Sequence, residues 1–190
     1  MRSGPRFARS SNVPESLPEF ETLANPIRIG LVADTHRRNP KRGMPPALLD
    51  GLDGCDLIFH AGDISERWVL DLLEEVAPVR AVIGNNDSFE LLKELPEERL
   101  FVSGRHRIGL LHGYSDMAKR ATTAKVWTLD RMRGVVDCAV YGHSHQPEVT
   151  EREGLLMVNP GSPTDFRWAK GPTYGILEVG EDIRARLIDL

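Results

Sequence analysis

The sequence predicts an α/β protein built around a parallel β-sheet. In the first half of the chain, short β-branched segments alternate with segments of helical apolar spacing, which is the pattern of right-handed βαβ units. Each of these strand segments ends in a polar cluster. The second half contains mostly alternating strand segments, so antiparallel strands are expected to complete the sheet structure.

The first three strands are predicted at residues 27–33, 56–60 and 79–83. Helices are predicted between them, at residues 45–52 and 66–76. In the second of these helices, apolar residues recur at spacings of three and four, which predicts one buried face. The order strand, helix, strand, helix, strand therefore favours a parallel core.

The second half begins with a predicted hairpin of strands at residues 99–103 and 107–111. A helix is predicted over residues 115–132, with Ser115 as its N-cap. The later strands are predicted at residues 135–141, 148–152, 155–158, 174–179 and 183–188.

The chain has 190 residues, of which 41% are hydrophobic and 27% are charged, as expected for one globular domain. Residues 1–25 contain three prolines and no hydrophobic period, so they are predicted to form a flexible arm. Residues 26–190 are predicted to form a single domain. There is no apolar run long enough to span a membrane and no signal peptide, so we expect a cytoplasmic protein without a membrane partner.

The net charge of −4 gives no reason to expect nucleic acid as a partner. The basic run at residues 37–42 either attracts an anionic substrate or is a solvated loop. The two cysteines, Cys55 and Cys138, are too few for a disulfide framework and are predicted to be buried and reduced.

Polar clusters that contain metal-binding side chains follow the predicted strands. Because the carboxyl ends of parallel strands lie at one edge of a sheet, where ligands bind, these clusters should converge. The clusters are Asp34-Thr35-His36, Gly62-Asp63, Gly84-Asn85-Asn86-Asp87, His112-Gly113 and Gly142-His143-Ser144-His145.

The side chains in these clusters offer oxygen and nitrogen ligands but no thiolate, which favours Mn²⁺, Fe or Zn²⁺, with Ni²⁺ as a further choice. The candidate ligands are Asp34, His36, Asp63, Asn85, His112, His143 and His145. Seven ligands exceed the four positions of one tetrahedral ion, whereas two cations that share a carboxylate would use all of them.

The ordered motifs resemble those of the calcineurin-like metallophosphoesterases, whose pattern is Asp-x-His, Gly-Asp, Gly-Asn-His-Asp/Glu, His and Gly-His-x-His. The short length and the segments at residues 60–63 and 159–162 are similar to the small YfcE-like branch. The resemblance implies a four-layer αββα sandwich of two mixed β-sheets flanked by helices. It also implies a metal-dependent phosphodiesterase that acts on small or nucleotide-like phosphate esters, with Mn²⁺ as the first expectation.

The resemblance further implies a role for each residue. One cation would bind Asp34, His36, Asp63 and His145, and the other would bind Asp63, Asn85, His112 and His143. A hydroxide between the two cations would attack phosphorus. Asn86 stands where many members have a histidine, and an amide cannot act as a general acid near neutral pH. A slow enzyme that prefers good leaving groups is therefore expected, with Asp87 orienting a ligand or loop.

Several of these residues also have simpler explanations. Asp34 and Asp63 could each cap a following helix, and Asn86 could be an ordinary turn residue. His60 is predicted to be a buried structural histidine, and His106 an exposed residue without function.

Two segments after the last histidine motif leave alternatives open. Residues 159–162 could form a simple turn or line the pocket. Arg167 could contact a substrate phosphate or lie on the surface.

Two rival functions share these features. A catalytically weak scaffold or binding module of the same fold, like the small subunit of retromer, is expected to lose ligands, whereas this chain keeps all seven candidates. A nuclease would need a basic groove. We therefore expect a small phosphate ester as the substrate, and an exposed sheet or helix face could support a homo-oligomer.

Overall fold

A computed structural model of the protein describes residues 19–114 and 123–190. The strands are β1 (Phe20–Thr22), β2 (Ile27–Val32), β3 (Leu57–His60), β4 (Val79–Ala81), β5 (Glu98–Ser103), β6 (His106–Leu111), β7 (Cys138–Val140), β8 (Glu148–Arg152), β9 (Leu155–Asn159), β10 (Thr173–Val179) and β11 (Ile183–Asp189). The helices are α1 (Pro46–Leu52), α2 (Arg67–Glu74), α3 (Phe89–Glu94), α4 (Ala124–Met132) and a short 3-10 helix (Pro40–Arg42).

The strands form two mixed sheets. One sheet has five strands in the order β11-β10-β2-β3-β4, and its strands β2, β3 and β4 are parallel, as the βαβ pattern predicts. The other has six strands in the order β1-β5-β6-β7-β9-β8, in which β6, β7 and β9 are parallel. In both sheets the parallel strands carry the polar clusters at their carboxyl ends.

Apolar residues from both sheets form the central core. The rings of Phe59 on β3 and Phe101 on β5 stack across it, with centroids 4.6 Å apart, and both side chains are fully buried. Strands that are buried on both faces need apolar residues at consecutive positions, which explains the continuous run Leu57-Ile58-Phe59.

Helices cover the outer face of each sheet. Val69, Leu70 and Leu73 of α2 pack with α1 and α3 on the five-stranded sheet. Leu129 and Met132 of α4 pack on the six-stranded sheet. The four layers therefore follow the order helix, sheet, sheet, helix, and the predicted αββα sandwich is confirmed.

The structure differs from the sequence-based elements at a few places. Strand β1 pairs with β5 and lies before residue 26, where the domain was predicted to begin. Residues 1–18 of the predicted arm, and the predicted N-cap Ser115, lie outside the described residues. Helix α4 begins at Ala124, where the hydroxyl of the N-cap Thr123 accepts a hydrogen bond from the amide of Val126.

Three other residues were also predicted. His106 was predicted to be exposed, which is wrong: its ring is buried, and Nε2 lies 3.0 Å from the carbonyl oxygen of Glu181. Cys55 and Cys138 are buried and free, as predicted. Within residues 19–114 and 123–190, no helix has the length and apolar character that crossing a bilayer requires.

The aromatic pair in the central core generates a stability prediction. Replacing Phe101 with alanine should lower the free energy of unfolding by about 3–5 kcal/mol, because it leaves a cavity between two sheets that cannot close over it. Urea unfolding measures the change. The matched control is Phe89→Ala: this side chain is 72% exposed, so the change should be about 0.5 kcal/mol or less. Equal losses in the two variants would contradict the packing described.

Candidate metal centre

The predicted ligands converge at the carboxyl ends of the parallel strands. Asp34 follows β2, Asp63 follows β3, His112 follows β6, and His143 and His145 follow β7. Ligands that lie up to 111 residues apart in the sequence meet at this edge because both sheets point their parallel strands towards it.

Four side chains form what we call the first donor cluster. They are Asp34, His36, Asp63 and His145, whose potential ligand atoms all lie within 4.8 Å of one another. The Nε2 atoms of His36 and His145 face each other at 3.2 Å, and their rings are stacked. Facing imidazole nitrogens and two carboxylates form a donor set that suits a divalent transition-metal cation.

A second donor cluster lies beside the first. It consists of Asp63, His112 and His143, whose potential ligand atoms also lie within 4.8 Å of one another. The Nδ1 atom of His143 is 3.3 Å from Nε2 of His112. The Oδ1 atom of Asn85 is 3.2 Å from the same nitrogen, which brings the predicted amide ligand to this cluster.

Asp63 belongs to both clusters, and its two oxygens face in different directions. Oδ2 is 3.2 Å from Nε2 of His36 in the first donor cluster, and Oδ1 is 3.4 Å from Nε2 of His112 in the second. Asn86 fixes this orientation, since its backbone amide donates to Oδ1 and its side-chain amide donates to Oδ2, each at 2.8 Å. Asn86 lies in a turn, as predicted, but its side chain also contacts the site.

Buried polar atoms test whether these residues suit a metal. The Oδ2 atom of Asp34 is buried and has no hydrogen-bond partner among residues 19–114 and 123–190. Burial raises the pKa of Asp34 to about 7, and the nearby Asp63 carboxylate adds to the shift. Because a bound cation would compensate both effects, the donor set fits a divalent metal.

The histidines are oriented through their second ring nitrogen. Nδ1 of His112 is 2.8 Å from the carbonyl oxygen of Ala61, and Nδ1 of His145 contacts the carbonyl oxygen of Asp165. When Nδ1 carries the proton and donates it to a carbonyl oxygen, Nε2 is the nitrogen with a free lone pair for a metal. In both residues Nε2 is the atom that faces the other ligands.

The electrostatic environment differs between the ligands. Burial alone would raise the pKa of Asp63, but hydrogen bonds from His112 and His36 outweigh it and hold the pKa below its ordinary value. Burial lowers the pKa of His143 to about 4, and it also lowers the pKa of His145. The positive charge of Arg167 lowers both further. Oδ2 of Asp165 lies 3.5 Å from Nε of Arg167 and 3.8 Å from Nδ1 of His145.

Five of the seven candidate ligands have left-handed backbone conformations. They are Asp34, His36, Asp63, His143 and His145, with φ angles between 46° and 68°. Such angles are uncommon outside glycine and concentrate at functional sites. Position 84 requires a glycine, because a Cβ there would overlap the backbone and carboxylate of Asp63.

Residues 159–162 support the ligand loops from outside. The side-chain amide of Asn159 donates to the carbonyl oxygen of Gly142 at 3.0 Å, and the hydroxyl of Ser162 donates to that of Asp34 at 2.7 Å. Asp87 ties two other loops together by accepting from the amides of Ser65 and Gly84. These buried contacts explain residues 159–162 better than a simple turn does.

The structure also bears on the simpler explanations for the aspartates and for His60. Neither aspartate caps a helix: the short 3-10 helix is capped by Asn39, and α2 follows Glu66. His60 is buried, as predicted, and its Nε2 lies 3.2 Å from the hydroxyl of Thr35, between the ligands Asp34 and His36.

Sequence reasoning missed one contact, the carbonyl oxygen of Asp165, because every residue has such an oxygen and no side-chain pattern marks it.

Comparisons with known proteins identify the family. The family described as the calcineurin-like phosphoesterase superfamily domain matches residues 27–182. A probable metallophosphoesterase from Methanothermobacter thermautotrophicus is 37% identical over 161 residues, which cover 84% of this chain and 91% of the relative. A phosphodiesterase from Methanocaldococcus jannaschii is 26% identical over 165 residues, which cover 80% of this chain and 93% of the relative.

Solved structures show the same fold. Vacuolar Protein Sorting 29 from Cryptosporidium parvum has a TM-score of 0.72 and 22% identity, and the match covers 87% of this chain and 92% of that chain. At this level of identity the similarity concerns the arrangement of strands and helices, and it leaves the chemistry of the site to be argued from its residues.

The buried His60 generates a prediction about pH. Burial lowers its pKa to about 3 from an ordinary value of 6.5, so the unfolded chain binds a proton between these values that the folded chain does not. The stability from neutral His60 is therefore complete above pH 6.5 and is lost as the pH falls towards 3. When the pH of the metal-free chain is lowered from 7.5 to 5, protonation of His60 in the unfolded state should reduce the free energy of unfolding of the wild type by about 2 kcal/mol. His60→Gln should lack this part of the decrease.

Urea unfolding at several pH values measures this difference. Glutamine does not titrate, and its amide can still donate to Thr35. Parallel stability curves for the two proteins would contradict a neutral, buried His60.

Proposed function

This chain belongs to the calcineurin-like phosphoesterase superfamily, and we propose that it is a phosphodiesterase that hydrolyses small or nucleotide-like phosphate esters with two divalent cations. The observation that supports two cations is the orientation of Asp63, whose two oxygens face two separate clusters of histidines. One carboxylate can then bridge both ions, as in other two-metal sites.

The proposed ligand sets follow the two clusters. One cation would be held by Asp34, His36, Asp63 and His145, and the other by Asp63, Asn85, His112 and His143. Oxygen and nitrogen donors without thiolates suit Mn²⁺, Fe, Zn²⁺ or Ni²⁺. We propose Mn²⁺ as the first choice among them. When bound, the two cations would lower the pKa of a water molecule and offset the charge of the phosphoryl oxygens.

The chain itself positions these groups. Asn86 holds both oxygens of Asp63 in place, and Asp87 fixes the loop that carries Asn85 by accepting from the amide of Gly84 at 2.6 Å. Because the amide of Asn86 cannot release a proton, it cannot protonate a leaving group. Asn86 is therefore proposed to assist by orienting Asp63. The leaving group must then depart with its negative charge unprotonated.

A metal and activity measurement tests the two-cation proposal. We expect elemental analysis to find about two divalent ions per chain, and a chromogenic phosphodiester to be hydrolysed when Mn²⁺ is added. Asp63→Asn should lose bound metal and at least about a hundredfold in rate, since it removes the shared ligand. The control is Asp130→Asn, an exposed aspartate on α4, which should change neither value.

Each contrary outcome has a definite meaning. A single bound ion with full activity would exclude the bridging role of Asp63. Absence of metal and of hydrolysis with every divalent cation tried would favour the alternative, a scaffold or binding module of the same fold.

The residue at position 86 generates a second prediction. Rates for a series of aryl phosphodiesters should fall steeply as the pKa of the leaving alcohol rises, because Asn86 supplies no proton to it. The matched variant Asn86→His should give a shallower dependence at neutral pH. A wild-type rate that is independent of leaving-group pKa would contradict this role of position 86.

A further inference from the structure

An exposed tryptophan lies on the loop that supports the first donor cluster. Trp168 is 92% exposed, whereas Trp68 and Trp127 are partly buried and pack against the outer cores. A large aromatic side chain left in water forgoes the burial that usually stabilises it. Phe166, two residues earlier, is also exposed. This pair marks the loop as a surface suited to a planar ligand.

Backbone contacts hold the aromatic loop close to the metal ligands. The carbonyl oxygen of Asp165 contacts Nδ1 of His145, and a tight turn follows, in which the amide of Ala169 donates to Phe166 at 2.8 Å. Trp168 lies at this turn, three residues from the carbonyl that orients a metal ligand. The loop is therefore fixed to the site at its base and exposes its aromatic side chain at its tip.

Arg167 precedes Trp168 in the same turn and supplies a positive charge there. Its Nε atom is 3.5 Å from Oδ2 of Asp165, and Nδ1 of His145 lies 3.8 Å from the same oxygen. Its backbone has a φ of 45°, a left-handed angle that is rare for arginine. A planar cation at this position can pair with the oxygens of a phosphate.

A second basic loop lies beside the first. The hydroxyl of Ser162 bonds the carbonyl oxygen of Asp34, and that of Thr164 bonds the carbonyl oxygen of Thr35, so residues 35–44 and 162–172 are joined at their bases. The two loops carry six basic residues and one acidic residue, in a chain with a net charge of −4. The basic residues are Arg37, Arg38, Lys41, Arg42, Arg167 and Lys170.

One of these cations has an unsatisfied donor. The Nε atom of Arg37, next to the ligand His36, is buried and has no hydrogen-bond partner within the described part of the chain. A buried donor without a partner is unfavourable, and an anionic oxygen would satisfy it.

We propose that the turn at residues 166–169 is the substrate-recognition element of this site, and that it selects phosphate esters of nucleosides. The indole of Trp168 stacks on the base, and the guanidinium of Arg167 pairs with the phosphate beside the donor clusters. The combination of one exposed aromatic ring with a basic rim matches the base and phosphate of a nucleotide, which is how proteins bind unpaired nucleotides without reading their sequence. This recognition role deepens the proposed phosphodiesterase function and rests on it for the identity of the reaction.

Binding of two ligands that differ in the base tests the proposal without relying on turnover. The Mn²⁺-loaded full-length chain is titrated with adenosine 5′-monophosphate and with ribose 5-phosphate, by calorimetry and by tryptophan fluorescence. The adenine compound should bind about tenfold more tightly, as expected for one base stacked on an aromatic ring. It should also quench the fluorescence of the exposed Trp168.

Three variants separate the contributions. Trp168→Ala should remove the tenfold preference and leave the affinity for ribose 5-phosphate unchanged, whereas Trp168→Phe should retain part of the preference. Arg167→Ala should weaken both ligands by a similar factor. Phe89→Ala, an exposed aromatic on α3, is the control and should change nothing.

Equal affinities for the two ligands, or a preference that survives in Trp168→Ala, would overturn the proposal. If the chain hydrolyses a phosphodiester but binds the two ligands equally, the phosphodiesterase function stands and only the nucleoside selectivity is refuted. A Trp168-dependent preference without hydrolysis would retain nucleotide recognition and remove the proposed reaction.

Discussion

The buried carboxylate of Asp63 is the group around which the two donor clusters are arranged. Its oxygens lie 3.2 Å from His36 and 3.4 Å from His112, and two hydrogen bonds from Asn86 prevent the carboxylate from rotating. A buried carboxylate is costly unless positive charge or donors surround it. Strands β2, β3, β6 and β7 end at the same edge, which allows ligands from both sheets to meet this requirement.

The loops that carry the candidate ligands have strained backbone conformations, and contacts with the rest of the fold maintain them. Each left-handed non-glycine residue costs on the order of 1–3 kcal/mol. Hydrogen bonds between loops offset part of this cost. The amide of Asp34 donates to the carbonyl oxygen of Gly62, and that of His36 donates to the carbonyl oxygen of Asp63. The hydroxyl of Ser162 donates to the carbonyl oxygen of Asp34. The Asn159–Ser162 segment is therefore part of the same structural unit as the ligands, although it contributes no donor to either cluster.

Much of this arrangement was accessible from the sequence, because alternating strand and helix periods identify a parallel core and the polar clusters mark where its strands end. Contacts that depend on distant backbone were not accessible. His106 looked like an exposed residue in a polar hairpin, yet the carbonyl oxygen of Glu181 covers it from 75 residues away. Strand β1 has three residues and forms through its pairing with β5, so local composition could not reveal it. The role of Asp165 rests on a backbone carbonyl and has no side-chain signature.

The αββα fold by itself does not separate a hydrolase from a scaffold, because one fold can carry unrelated functions. The destabilising features of the site are more informative. Five left-handed candidate ligands destabilise the metal-free chain, and so does Oδ2 of Asp34, which is unpaired among residues 19–114 and 123–190. None of these features improves the packing of the cores. A chain that served only as a scaffold could lose them and become more stable, since strained or unpaired groups persist at a cost that function justifies. Their joint presence, together with an exposed tryptophan and a basic rim at the same edge, is therefore an argument for a working site.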